Sequence, residues 1–194
     1  MQVLLVGDSL GMVIQGQETT VPVTLDDMVY HSACVARARR QALILVDMPF
    51  LTYATPDLAL ASAGRLMREG GAQMVKLEGG APFVETVRRL TANGVPVCAH
   101  LGLLPQSIHR LGGYRYQGRD RASALAILED AVALQEAGAG LLVLECVPAD
   151  LAREIGGDKG LTARELQATT AKMAKRNMRT MKMSVVLMAL MSSS

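Results

Sequence analysis

Five short apolar runs, each reaching a charged or polar residue and each followed by a stretch of helical character, constrain this 194-residue chain more than any other feature. They are Val3–Val6 before Gly7-Asp8-Ser9, Ala42–Phe50 with Asp47, Met74–Gly80 with Lys76 and Glu78, Val95–Leu101 with His100, and Leu141–Val147 with Glu145. Each run is apolar at successive as well as alternate positions. That is the pattern of a strand buried on both faces of a parallel sheet, and it predicts Val3–Val6 to be fully buried. Between the runs, Thr24 with Asp27 opens a helix through about Arg39, and Thr55-Pro56 opens one ending near Glu69. Further helices are expected from about Pro82 to Ala92, over Arg121–Ala137, and after Pro148 through Ile155. Met12–Thr24 and Gly102–Asp120 read as irregular loops; the second is long enough to be functional or mobile.

Strands alternating with helices predict an α/β fold, a parallel sheet with helices outside it, closing toward a barrel. Five such units are recognisable, against the eight of a complete (β/α)8 barrel of about 250 residues. The rhythm stops at Gly156. Residues 1–155 form the barrel-like part and carry a net charge of −3. Residues 156–194 carry +5, hold six of the twelve methionines and contain no aromatic residue. Leu161–Lys182 reads as a basic helix. A solvated segment accounts for it better than nucleic-acid binding does, so no nucleic acid is expected as a partner. Three scattered cysteines point to reduced thiols in an intracellular protein, and no apolar run is long enough to span a membrane, which makes the cytoplasm the expected location.

In α/β sheets and barrels, ligands bind at the carboxyl ends of the strands. The five strand ends offer, in order, Asp8 with Ser9, Asp47, Lys76 with Glu78, His100, and Glu145. If they share one face, several carboxylates converge, and these do not stay ionised together without a cation. An oxygen-rich set without Cys or His at ligand spacing favours a hard ion, Mg²⁺ above all. One such ion can hold a keto acid through its carbonyl and carboxylate oxygens and stabilise an enolate, while a remaining carboxylate removes the adjacent proton. Taken singly, each residue also has a structural reading. Asp8 can cap a helix, Asp47 can sit in a turn, Lys76 and Glu78 can form an ion pair, and His100 can be a satisfied core histidine. Glu145 is hardest to explain that way, because a carboxylate inside LLVLECV needs a partner or a raised pKa. Gly7, Gly79-Gly80 and Gly112-Gly113 permit close backbone approach to a ligand, but no phosphate-loop spacing is present.

The segments VGDSLGMVIQG, VDMPF followed two residues later by YAT, VKLEGG, VCAHLGLLPQS, GGYRYQGR and LLVLECVP resemble the ketopantoate hydroxymethyltransferase family, in its order and spacing, over about residues 2–155. The resemblance implies a (β/α)8 TIM barrel of the phosphoenolpyruvate/pyruvate superfamily, here incomplete. It implies transfer of a hydroxymethyl group from 5,10-methylenetetrahydrofolate to 3-methyl-2-oxobutanoate, giving 2-dehydropantoate on the way to pantothenate and coenzyme A. By the family's pattern Asp8 and Asp47 are Mg²⁺ ligands with Glu78 beside the metal. Ser9 and Lys76 hold the keto-acid carboxylate, and His100 sits near the keto oxygen or the new hydroxymethyl group. Glu145 is the general base at C3. Full-length members are homo-oligomers, typically decamers. The alternatives are a Mg²⁺-dependent carbon–carbon lyase of the same superfamily and a non-catalytic barrel fragment. Such lyases typically carry a reactive-loop cysteine, and Gly102–Asp120 has none.

The chain departs from the family at both ends. Family members carry a strand and a helix before the position of Gln2, and two more strands after Ile155. The five strands then correspond to the second through sixth of the barrel, and Gly156–Ser194 is an unrelated tail. A sheet left open in this way exposes two edges and apolar surface; the expectation is a poorly soluble chain, weakly active or inactive.

Overall fold

A computed structural model describes residues 2–111, 116–156 and 184–186. Its centre is one parallel sheet whose strands lie in sequence order: β1 (Val3–Val6), β2 (Leu43–Asp47), β3 (Met74–Glu78), β4 (Val97–Gly102), β5 (Leu141–Glu145) and β6 (Ser184–Val186). The helices are α1 (Leu10–Val13), α2 (Leu25–Ala38), α3 (Pro56–Arg68), α4 (Val84–Ala92), α5 (Ile108–Leu111), α6 (Arg121–Glu136) and α7 (Ala149–Ile155). The five expected βα units are all present.

Local chemistry sets the helix starts. The Thr24 hydroxyl accepts the Asp27 N–H while the Asp27 carboxylate accepts the Thr24 N–H, closing a reciprocal cap on α2. Thr55 accepts the Leu58 N–H at the start of α3, with Pro56 in the first turn. Asp120 accepts the N–H groups of Ala122 and Ser123 at the start of α6.

The twofold alternation of side chains along each strand divides the sheet into two faces. One face places Val6, Ile44, Val46, Val75, Leu77, Val97, Ala99, Leu101, Leu142 and Leu144 in a continuous core with the helices, including Met28, Leu66, Leu90 and Leu128. The other face gathers Leu45, Cys98, Leu141 and Val143, flanked by Val3, Leu5, Leu43 and Met74, in a separate apolar layer. In a barrel this is the lumen side. The continuous apolar runs thus reflect two different burials.

Three expectations change. Val3–Val6 is not fully buried: Val6 is, but Leu4 is 41% exposed. The cause is position, since β1 pairs with β2 alone among the described residues. The Met12–Thr24 and Gly102–Asp120 loops are partly helical. The turn α1 follows directly on Ser9, and a 3₁₀ turn over Pro105–Ser107 leads into α5. Finally, Ser184–Val186 adds a strand from the tail, with Leu141 facing Ser184 and Val143 facing Val186. The tail therefore extends the sheet at β5 and leaves the outer edge of β1 without a described neighbour. The expected helix over Leu161–Lys182 and the Gly112-Gly113 pair lie outside the described residues. No described helix is long and apolar enough to cross a membrane.

Candidate active site

Strand register assembles a polar layer directly above the second apolar layer. Asp47 faces Lys76 across β2 and β3, Glu78 faces His100 across β3 and β4, and Gly102 faces Glu145 across β4 and β5. Asp47 lies two positions beyond Leu45 on the same face, Lys76 beyond Met74, His100 beyond Cys98 and Glu145 beyond Val143, and Glu78 follows Lys76. Asp8 arrives from β1 through Gly7. All seven residues picked out from the sequence, Asp8, Ser9, Asp47, Lys76, Glu78, His100 and Glu145, line a single cavity of about 260 Å³. Six of them are buried, and Ser9 is exposed at its rim. Leu5, Val143, Met12 and Val13 give the same cavity an apolar wall.

The charges alternate. The Lys76 ammonium lies 2.6 Å from Asp47 Oδ1 and 3.8 Å from Glu78 Oε1. His100 Nδ1 lies 3.4 Å from Glu78 Oε1, and its Nε2 lies 3.3 Å from Glu145 Oε2. The Asp8 N–H donates to Asp47 Oδ2 at 3.1 Å, holding the two aspartates side by side. Burial opposes the charge on Lys76, but the neighbouring Asp47 and Glu78 carboxylates outweigh it and hold its pKa above the ordinary value. Burial likewise opposes the charge on Glu78, and His100 and Lys76 reverse the effect, so its carboxyl lies below the usual range. For His100, burial and Lys76 disfavour the imidazolium, whereas Glu145 and Glu78 favour it, and the net shift is upward. Burial first and the Asp47 charge second push Asp8 up to about 7. Lys76 and a hydrogen bond from Gln106 oppose the rise without cancelling it.

These residues fit a divalent cation. Asp8, Asp47, Glu78 and Glu145 set four carboxylates against one ammonium and one imidazole around one cavity. Asp8, whose carboxyl is raised, stands next to Asp47. Among the described residues no three His, Cys, Asp or Glu side chains converge tightly enough to enclose an ion. Glu78 borders the aspartate pair, its oxygens directed to Lys76 and His100 on one side and to the Gln106 N–H on the other. A two-carboxylate site completed by water and substrate oxygens suits Mg²⁺, which keeps much of its hydration shell.

Two residues not singled out in the sequence belong to the site. Gln106, buried in the 3₁₀ turn after β4, donates from Nε2 to Asp8 Oδ2 at 2.7 Å and to the Met48 carbonyl at 2.9 Å. Its one sequence signal is Pro105, which starts the turn. Thr20 lines the cavity with a buried hydroxyl that has no hydrogen-bond partner among the described residues.

The backbone behind Glu145 is unusual. Cys146 has a left-handed φ of 49°, turning the chain sharply at the strand end, and its carbonyl accepts the Gln117 N–H. Opposite, Gly102 has φ +94°, and a Cβ there would lie 2.1 Å from the Glu145 carbonyl oxygen. Gly102→Ala is therefore expected to destabilise the chain by about 3 kcal/mol, combining left-handed strain with a backbone clash. Urea unfolding of the two chains measures it; a loss below about 1 kcal/mol would contradict the tight approach.

A family model described as ketopantoate hydroxymethyltransferase matches residues 1–161. The 3-methyl-2-oxobutanoate hydroxymethyltransferases of Nitrosococcus oceani and Methylococcus capsulatus are 67% and 65% identical to the chain over 154 residues. Those residues are 79% of this chain but 58% and 57% of the relatives, so the chain spans little more than half the length of the curated relatives it matches. In three dimensions, a 2,3-dimethylmalate lyase of the PEP mutase/isocitrate lyase superfamily aligns with TM-score 0.57 at 16% identity, covering 96% of this chain and 68% of that one. An oxaloacetate acetylhydrolase aligns with TM-score 0.52 at 14% identity, covering 96% and 67%. At such identities the likeness concerns the fold alone, an incomplete (β/α)8 barrel. Sequence and fold agree over the segment that carries every residue of the cavity's polar layer, and the chain belongs to the ketopantoate hydroxymethyltransferase family.

Proposed function

We propose that this arrangement serves hydroxymethyl transfer from 5,10-methylenetetrahydrofolate to 3-methyl-2-oxobutanoate, yielding 2-dehydropantoate for pantothenate synthesis, and that the strands present here carry its proton-abstraction half. The observation that supports the reading most is the placement of Glu145, at a strand end on the same cavity as the Asp8–Asp47 pair but three strands along the sheet from Asp47. That separation leaves room for a small keto acid between a base and a cation site. Mg²⁺ held by Asp8 and Asp47 supplies Lewis-acid polarisation of the keto oxygen when bound. Lys76 and Ser9 hold the substrate carboxylate, with Lys76 also balancing Asp47. The apolar wall of Leu5 and Val143 receives the branched alkyl group and keeps water from C3. Glu145 takes the C3 proton, and His100, in contact with Glu78 on one side and Glu145 on the other, steadies that carboxylate and reaches the keto oxygen or the new hydroxyl. Water cleaves the two C–N bonds of the folate's methylene bridge, releasing tetrahydrofolate and leaving the carbon at the oxidation level of formaldehyde. The C3 carbanion adds to that carbon, and its oxygen, which comes from the water, takes up a proton to become the new hydroxyl. Homo-oligomeric assembly and a cytoplasmic setting belong to the same proposal.

The test is formation of 2-dehydropantoate from the two substrates and Mg²⁺. The expected result is weak product formation that disappears when Mg²⁺ is omitted. Product formed equally well without Mg²⁺, or no product from a folded, Mg²⁺-loaded sample, would contradict it.

Asp8 gives the site a pH signature. In the folded, cation-free chain its carboxyl is raised to about 7 from the ordinary 3.8, so the folded state binds a proton that the unfolded state releases. Rising pH between those values therefore removes stability, and a cation must displace the proton. Mg²⁺ affinity is expected to rise about tenfold per pH unit below 7 and to level off above it, with about one proton released per ion at pH 6. Calorimetry in two buffers of different ionisation enthalpy counts that proton; pH-independent affinity with no proton release would show that Asp8 is ionised before the ion arrives.

A further inference from the structure

The described part of the loop after β4 places one residue in contact with both Asp8 and Glu78. Gln106 is 4% exposed. Its Nε2 donates to Asp8 Oδ2 at 2.7 Å and to the Met48 carbonyl at 2.9 Å, its Oε1 accepts the Tyr53 hydroxyl at 2.5 Å, and its backbone N–H donates to Glu78 Oε2 at 3.1 Å. The amide orientation is fixed by its neighbours. Nε2 faces two acceptor oxygens and Oε1 faces a hydroxyl, so the reverse orientation would set oxygen against oxygen at both Asp8 and Met48. Tyr53 is itself anchored, its oxygen accepting the Glu78 N–H at 3.4 Å and its ring packed edge-on against Phe83. Gln106 does not line the cavity that holds the charged residues, and acts on it through Asp8 and Glu78.

We propose that Gln106, locked by Tyr53, is a positioning residue that holds Asp8 Oδ2 and so limits Asp8 to presenting one oxygen, Oδ1, to a divalent cation. The inference rests on the functional reading above, which makes Asp8 a ligand, and adds to it the number of oxygens that Asp8 offers. A hydrogen bond from an amide to an ionised carboxylate is shorter and stronger than one between neutral groups. It fixes the carboxylate plane, and it removes one lone-pair position from competition with water and substrate for the ion's remaining sites. Without it, the Asp8 carboxylate rotates, and both of its oxygens become available.

The experiment uses the 194-residue chain and Mn²⁺ as a paramagnetic stand-in for Mg²⁺, without substrate. Binding is titrated by electron paramagnetic resonance, and water molecules on the bound ion are counted by solvent-proton relaxation. Gln106→Met, close in volume but with no donor, is expected to weaken Mn²⁺ binding about tenfold and to lower the bound-water count by one as Asp8 closes on the ion with both oxygens. Tyr53→Phe, which keeps Gln106 and releases its amide, is expected to fall between that variant and the unaltered chain. A structural role alone would change the melting temperature and leave the water count untouched. If Gln106→Met does not fold, Tyr53→Phe decides. An unchanged affinity and water count in a folded variant overturn the inference while leaving the functional reading in place. Failure of the unaltered chain to bind Mn²⁺ overturns both.

Discussion

Replacing Glu145 with Gln is expected to slow removal of the C3 proton from 3-methyl-2-oxobutanoate by about 10³-fold, within the range that a positioned general base supplies, while leaving Mg²⁺ and keto-acid affinity within a factor of about three. The geometry supports this separation. Glu145 lies on β5, and the Asp8–Asp47 pair lies at the ends of β1 and β2. Among the described residues its one ion-pair partner is His100 Nε2 at 3.3 Å, and an amide in its place keeps the shape and an acceptor oxygen for His100 but cannot take a proton. A base confined to this position changes kcat far more than KM. A comparable loss of Mg²⁺ affinity in the variant would show instead that Glu145 belongs to the cation site.

Lys76→Met is expected to have the largest effect on stability. The ammonium is 4% exposed and stands between Asp47 at 2.6 Å and Glu78 at 3.8 Å. Removing one partner of a buried ion pair leaves the other uncompensated, at a cost of about 3–5 kcal/mol. In the unaltered chain Glu78 is held below its ordinary 4.5. The folded state therefore binds fewer protons than the unfolded one near that value. The contribution of Glu78 is present above pH 4.5 and is lost as pH falls through its lower folded value. Without Lys76, the carboxyl of Asp8 loses a cation that lowers it and binds its proton still more tightly in the folded state, so the loss of stability grows as pH rises. Urea unfolding should show Lys76→Met at its weakest near pH 8 and partly recovered near pH 5.5. Equal losses at both pH values would mean that packing, and not charge, is what Lys76 provides.

The parts of this architecture that were legible in the sequence are those governed by local chemistry. Thr24, Thr55 and Asp120 declare helix starts because a side-chain oxygen and a free N–H lie within a few residues of each other. The polar strand ends declare a site because a charge inside LLVLECV or MVKLEGG has no cheap structural explanation. Other features depend on distant neighbours. Leu4 looks as apolar as Ile44, yet it is 41% exposed because β1 lies at an edge among the described strands. Gln106 looks like an ordinary loop amide until β1 and the turn after β4 bring it to Asp8, 98 residues away. Ser184–Val186 has neither a polar strand end nor a recognisable βα unit before it, and its pairing with β5 followed from no local pattern.

The most direct test of the central claim is exchange of the C3 hydrogen of 3-methyl-2-oxobutanoate in deuterated water, followed by proton NMR with the 194-residue chain and no folate. The account predicts deuterium entering at C3 when Mg²⁺ is present, and exchange falling to the solution rate when Mg²⁺ is removed or Glu145 is replaced by Gln. Exchange that persists in the Glu145→Gln chain, or its absence from a folded, Mg²⁺-loaded sample of the unaltered chain, would contradict it.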